Sequence, residues 1–168
     1  MISADYCRTM ARYNRWQNGN LLGEAEVLGP AARKADRGAF FGSIEKTLNH
    51  VLWADTMWMS RIDGWDKPRG SGAESTEFTP DWDAYKAARA VADQRIHEWA
   101  GRVEDGDLLG DLTWYSGILK TNVAKPFWLC ITHFFNHQTH HRGQVHGMIT
   151  AAKGRPGDTD LFIMPETA

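Results

Sequence analysis

The sequence holds only two cysteines in 168 residues, Cys7 and Cys130, far apart and in no CxxC pair. That speaks against a disulfide framework and a cysteine-rich zinc site, and it suits a reducing cytoplasm. There is little excess of either charge: 19 Lys and Arg stand against 21 Asp and Glu, a formal charge of −2. Such a surface has no long-range attraction for a phosphate backbone or an anionic bilayer, so neither nucleic acid nor membrane is an expected partner. No stretch approaches the ~18 apolar residues of a membrane span. Asp5 and Arg8 fall where a secretory leader needs an unbroken apolar region, and a cytoplasmic location is expected. Several enzyme signatures are also missing. There is no HExxH, neither Glu45 nor Glu98 begins a Glu-x-x-His motif, and no GxSxG, P-loop or dinucleotide fingerprint occurs. Metalloprotease and di-iron carboxylate chemistry are therefore disfavoured.

What is present is an ordinary globular balance, 42% hydrophobic and 24% charged, in a length that fits one domain over residues 1–168. Eight tryptophans are heavy use of a bulky side chain whose usual place is the core. Apolar residues recur at spacings of three and four in four segments. The first runs from about Ser3 to Leu28 and stops at Gly29-Pro30. The second starts between Phe40 and Ser43 and reaches Gly64, with His50 inside it. Residues 64–81 are rich in Gly, Ser and Pro and read as a long irregular connection. Thr79-Pro80-Asp81 then reads as a cap, a first-turn proline and a first-turn acid for a third helix through Val103. Residues 105–125 fit a loop or a small hairpin and stay unassigned. Pro126 opens the fourth helix, and Lys153-Gly154-Arg155-Pro156 ends it with a basic turn, a glycine cap and a proline. Four helices and no sustained strand predict an all-α, antiparallel four-helix bundle. Its connections are long, so their lengths leave the order of the helices open.

Thr132 to Gln144 holds four of the seven histidines. On a helix, His133, His137 and His141 form one stripe. His133 and His141 are about 12 Å apart along the axis, too far for one ion with bonds of about 2 Å. The usable pair is 133/137 or 137/141, and spacing alone does not choose. An HxxxH pair is often mere packing, but apolar residues flank this stripe on both sides and predict that it faces inward. A buried imidazole needs a partner there. A third histidine from a neighbouring helix, His50, would complete a bundle-core metal site with one position open. Gln144 lies on the same face and is expected to orient a ligand or substrate. His140 points about 100° away and reads as packing or a partner contact, Arg142 as a salt-bridge former, and His97 and His146 as ordinary histidines.

Asn136-His137-x-x-His140-His141-Arg142-Gly143-Gln144 resembles the hallmark of the DinB/YfiT-like metalloenzyme family. Thr47 to Asp55 resembles that family's second-helix motif, Arg12 to Asn18 its first helix, and Thr159-Asp160-Leu161 its C-terminal tail. The resemblance covers nearly the whole chain. It implies a four-helix bundle of the DinB/YfiT-like type, commonly a homodimer, with a divalent ion on His50, His137 and His141, and so selects 137/141. His133 then becomes a pocket or outer-sphere residue. Zinc or nickel is the expected ion, with iron and manganese also compatible with imidazole. Relatives in the resembling family include thiol-dependent S-transferases and a mycothiol-dependent isomerase. The expected function is accordingly a metal-dependent transfer of a low-molecular-weight thiol to a small-molecule substrate. The alternatives are metal-dependent hydrolysis and a non-enzymatic bundle in which a metal or ligand regulates a partner.

Overall fold

The computed structural model describes residues 2–167, and among these the regular structure is helical apart from one two-stranded ribbon and an isolated bridge between Ala39 and Gly42. The long helices are α1 (Ala4–Lys34), α2 (Ile44–Ile62), α3 (Trp82–Arg102) and α4 (Phe127–Ala151). The ribbon pairs β1 (Asp111–Ser116) with β2 (Thr121–Pro126), antiparallel, with Trp114 opposite Val123. α1 packs against α3 and α4, and α2 against α4 and α3. The helix order that connection lengths left open is thus given by packing. The helix that carries His50, α2, and the helix that carries His133, His137 and His141, α4, lie directly against each other. The apolar faces predicted from spacing meet in one core that includes Leu21, Ile44, Leu52, Met59, Ile96, Trp99, Phe134, Phe135 and Ile149. No helix among the described residues is long and apolar enough to cross a membrane.

The helix ends show where local chemistry differs from expectation. Gly29-Pro30 does break α1, since Gly29 takes φ 76°, but the chain then re-enters a helical turn that runs to Lys34. Proline favours this restart, because the first helical position needs its fixed φ and not its missing N–H. The α3 cap is Asp81 and not Thr79: Asp81 Oδ1 accepts from the Ala84 amide at 2.8 Å. Thr79 is engaged elsewhere, its amide and hydroxyl both donating to Asn49 Oδ1 on α2. At the end of α4 the left-handed residue is Lys153 (φ 69°), and Gly154 is needed for a different reason. A Cβ on Gly154 would sit 2.6 Å from Ile149 Cγ2, so glycine permits close approach there and does not supply the turn. Residues 105–125 resolve into a 3₁₀ turn at Asp105–Leu108 followed by β1 and most of β2. The 64–81 connection is not wholly irregular either. It contains a 3₁₀ helix at Gly72–Glu77, opened by Ser71, whose amide and hydroxyl both donate to Glu74 Oε2.

A buried polar network crosses the core. Arg89 on α3 is 2% exposed and Asp55 on α2 is 1% exposed, and they pair at 2.6 Å. Arg89 also meets Asp93 at 2.9 Å, Asp93 accepts from Asn18 on α1, and Asp55 accepts from Gln138 on α4. All four helices therefore contribute. The C-terminal segment is held along α1, where Tyr13 donates to the Thr159 carbonyl and Gln17 to that of Asp158.

Candidate metal centre

His50, His137 and His141 converge where α2 packs on α4, and one ring nitrogen from each lies within 4.8 Å of the other two. His50 reaches the cluster from the N-terminal half of α2, while the i, i+4 spacing of His137 and His141 on α4 places their rings on successive turns. The Nε2 atoms of His50 and His137 are 3.3 Å apart. Donors bound tetrahedrally at about 2.0–2.1 Å stand about 3.3 Å from each other, so this pair already has the separation one ion requires.

The surrounding hydrogen bonds fix which nitrogen of each ring is free. Ser75 Oγ donates to the Gly72 carbonyl at 2.7 Å, so toward His50 Nδ1, 2.9 Å away, it accepts. His50 thus carries its proton on Nδ1 and presents the lone pair of Nε2 to the cluster. Gln144 repeats the arrangement at His141: its amide nitrogen faces His140 Nε2 at 3.2 Å and its oxygen faces His141 Nδ1 at 2.8 Å. An amide oxygen only accepts, which leaves the His141 lone pair on Nε2. Partners that hold the second ring nitrogen in this way set the tautomer a metal needs.

Burial also favours the neutral ring. It pushes His137 down to about 3, with its histidine neighbours adding repulsion, and His50 down to about 4, with His141 adding. His141 is lowered too, by burial, against the opposing effect of the hydrogen bond it donates to Gln144. All three are uncharged at neutral pH, the state in which imidazole binds metal. Three neutral nitrogen donors, two with outward tautomers fixed by neighbours, fit a borderline divalent ion such as zinc or nickel. Among the described residues no fourth His, Cys, Asp or Glu joins the cluster.

The remaining predicted residues fall into place around this centre. His133 is solvent-exposed and stands outside the cluster, its ring 5.7 Å from that of His137 and 4.9 Å from Trp58. The stripe therefore does not face inward along its whole length: α4 turns His133 toward solvent at the end nearer the ribbon. His140 is exposed and His146 contacts the Gly157 carbonyl. Arg142 makes no ion pair among the described residues. It is buried against α1, donates to Asn14 Oδ1 and Thr139 Oγ1, and is pushed down to about 10 by burial. Two neighbours escaped the sequence reading. Ser75 lay in a segment whose composition masks its 3₁₀ helix, although Ser71-x-x-Glu74 is a visible capping pattern. Phe41, from the connection between α1 and α2, packs on His50 with ring centres 4.0 Å apart and planes tilted by 31°, and nothing in its local sequence marks it.

No curated protein and no solved structure matches this chain. The model of the DinB family, in contrast, matches residues 1–166, essentially the full length over which the helices and the histidine cluster are built. The chain belongs to the DinB family.

Proposed function

We propose that this chain is a four-helix-bundle metalloprotein that holds one divalent ion on His50, His137 and His141 and transfers a low-molecular-weight thiol to an electrophilic small molecule. The observation that carries the reading is the convergence of three neutral imidazoles without a fourth protein donor among the described residues. Three donors leave room for an exogenous ligand, which is the pattern of catalytic and not of structural sites. When bound, the ion would supply Lewis acidity that brings a thiol to its conjugate base near neutral pH. The chain's part is to keep three rings neutral and aimed. Ser75 and Gln144 hold the Nδ1 protons of His50 and His141, and Phe41 packs over the His50 ring. Metal-loaded protein mixed with glutathione, bacillithiol or mycothiol and an electrophile is expected to consume thiol. If no thiol is consumed with any electrophile, the transferase reading gives way to hydrolysis or to a non-enzymatic binding module.

Removing one tautomer-setting partner tests the site's construction. Ser75→Ala is expected to weaken zinc affinity by about 10–100-fold, since the Nδ1 proton loses its acceptor and the ring its anchor. Competition with a chromogenic chelator reads this directly. Unchanged affinity would show that Ser75 does not orient His50.

The reading extends to a cytoplasmic homodimer, supported by the family resemblance and by large apolar side chains standing in solvent, among them Phe40, Ile118 and Phe162. Sedimentation at micromolar concentration is expected to give twice the 19.0 kDa chain mass. A 19.0 kDa species alone would contradict it.

A further inference from the structure

Along α2 from the histidine cluster lies a cation, Arg61, whose hydrogen-bonding capacity the described residues do not use. The Arg61 guanidinium, at the end of α2, rests 4.7 Å from the ring centre of Trp58 and 5.5 Å from that of Trp114 on β1. Those two indoles meet edge to face at 5.6 Å, so the cation sits against a corner of π surface. Among the described residues it has no hydrogen bond or ion pair with a protein acceptor, and its own helix and the ribbon hold it by their aromatic faces alone. Arg8, Arg33, Arg89 and Arg102, by contrast, each face a carboxylate. Arg61 is half-buried, as are Trp58 and Trp114, so its N–H groups are partly stripped of water yet reachable.

A continuous wall joins this cation to the cluster. Trp58 contacts His133 at 4.9 Å, and His133 contacts His137 at 5.7 Å. His133 is exposed, so the wall is open to solvent along its middle. Ring-centre steps of 4.9 and 5.7 Å lead from Trp58, under the Arg61 cation, through His133 to His137, a path of about 10 Å.

We propose that Arg61, held by Trp58 and Trp114, receives the carboxylate end of an elongated small molecule whose other end meets the metal at His50, His137 and His141. The inference rests on the metal-binding reading above and adds a substrate class to it: a molecule with an anionic terminus about 10 Å from its metal-directed group, lying across His133 and Trp58. The guanidinium fork matches a carboxylate bidentately. Stacking on two indoles keeps the fork in place before the ligand arrives, which reduces the ordering cost of binding. It also explains why an exposed histidine and a half-buried tryptophan sit between the two ends, offering flat surface for a chain of intermediate polarity.

The test uses the zinc-loaded protein and calorimetric titration with three probes. Suberic acid monohydroxamate has a metal-directed head and a carboxylate tail, its monoamide counterpart has the same length without charge, and acetohydroxamate has the head alone. The hydroxamate head makes the result independent of whether a thiol is the natural ligand. The carboxylate probe is expected to bind wild type about tenfold more tightly than the amide, as a charge-assisted hydrogen bond allows. The preference should vanish in Arg61→Gln and partly persist in Arg61→Lys, with zinc content and acetohydroxamate affinity unchanged in both. If acetohydroxamate binds but the carboxylate preference is absent, or survives in R61Q, the Arg61 subsite is wrong and the metal reading stands. Failure of zinc to load would remove the metal reading, whereas failure of every hydroxamate to bind the zinc-loaded protein would remove the open position on the metal and the subsite with it.

Discussion

Replacing His137 with alanine is expected to abolish stoichiometric divalent metal binding while leaving the fold intact. His137 is the middle member of the cluster: its Nε2 faces that of His50 at 3.3 Å, and its ring centre is 4.5 Å from that of His141. Its loss leaves one donor on each of two helices. The effect should exceed the roughly 10–100-fold typical of losing an outer partner such as Ser75. Stability supplies a second readout, because a ligand that binds only the folded state at 1,000 times its Kd stabilises it by about 4 kcal/mol. Wild type should therefore melt at a higher temperature when zinc is added, and His137→Ala should not respond. His133→Ala is the control and should bind metal and respond as wild type does. Equal metal content in wild type and His137→Ala would end the assignment, since both α4 pairings, 133/137 and 137/141, need that residue.

The second large effect concerns stability and not the metal. Arg89→Met is expected to destabilise the fold by about 3–5 kcal/mol, the usual cost of stranding buried charge by removing its partner. Burial pushes the carboxyls of both Asp55 and Asp93 up, and the guanidinium pulls them back down. Burial alone would lower Arg89, but the two carboxylates outweigh it and hold its pKa above the ordinary value. With a 2.6 Å contact to a cation that does not deprotonate, Asp55 is ionised at neutral pH. Without Arg89, two carboxyls sit in the core with Gln138 and Asn18 as their side-chain donors among the described residues. Because this network joins all four helices, its disruption should lower the urea midpoint of the whole transition. Simultaneous apolar replacement of Asp55, Arg89 and Asp93 should cost less than Arg89→Met alone, because it leaves no orphaned charge. Arg89→Met losing under 1 kcal/mol would show that the network is not ionised as described.

Much of this architecture was legible in the sequence because its signals are local. Periodic apolar spacing located four helices, and Ser43, the true cap of α2, lies at the edge of the interval expected for its start. The i, i+4 pair of His137 and His141 was visible for the same reason. His50 was a candidate third ligand from its place on a neighbouring amphipathic helix, but spacing did not choose between 133/137 and 137/141, because the choice depends on an 87-residue contact between His50 and α4; the motif resemblance selected 137/141. The Asp55–Arg89–Gln138 connections were illegible for the same physical cause, with partners 34 and 83 residues away. Thr79 misled because a hydroxyl that looks like a cap is equally able to bond another helix, and the competing acceptor, Asn49, is remote in sequence. The ribbon was undetermined because its inward positions, Leu112, Trp114 and Ser116, alternate over only one short strand. His133 shows the limit of the helical stripe argument. A stripe eight residues long is buried only as far as the facing helix covers it, and α2 covers His137 and His141 but leaves His133 exposed.

One divalent ion is expected to sit among His50, His137 and His141. Anomalous diffraction from zinc-loaded crystals, collected on both sides of the zinc edge, tests it without reference to any substrate. The prediction is a single anomalous peak per chain about 2.0–2.1 Å from the Nε2 atoms of those three residues. A peak held by His133 and His137, or no peak within reach of His50, would contradict it.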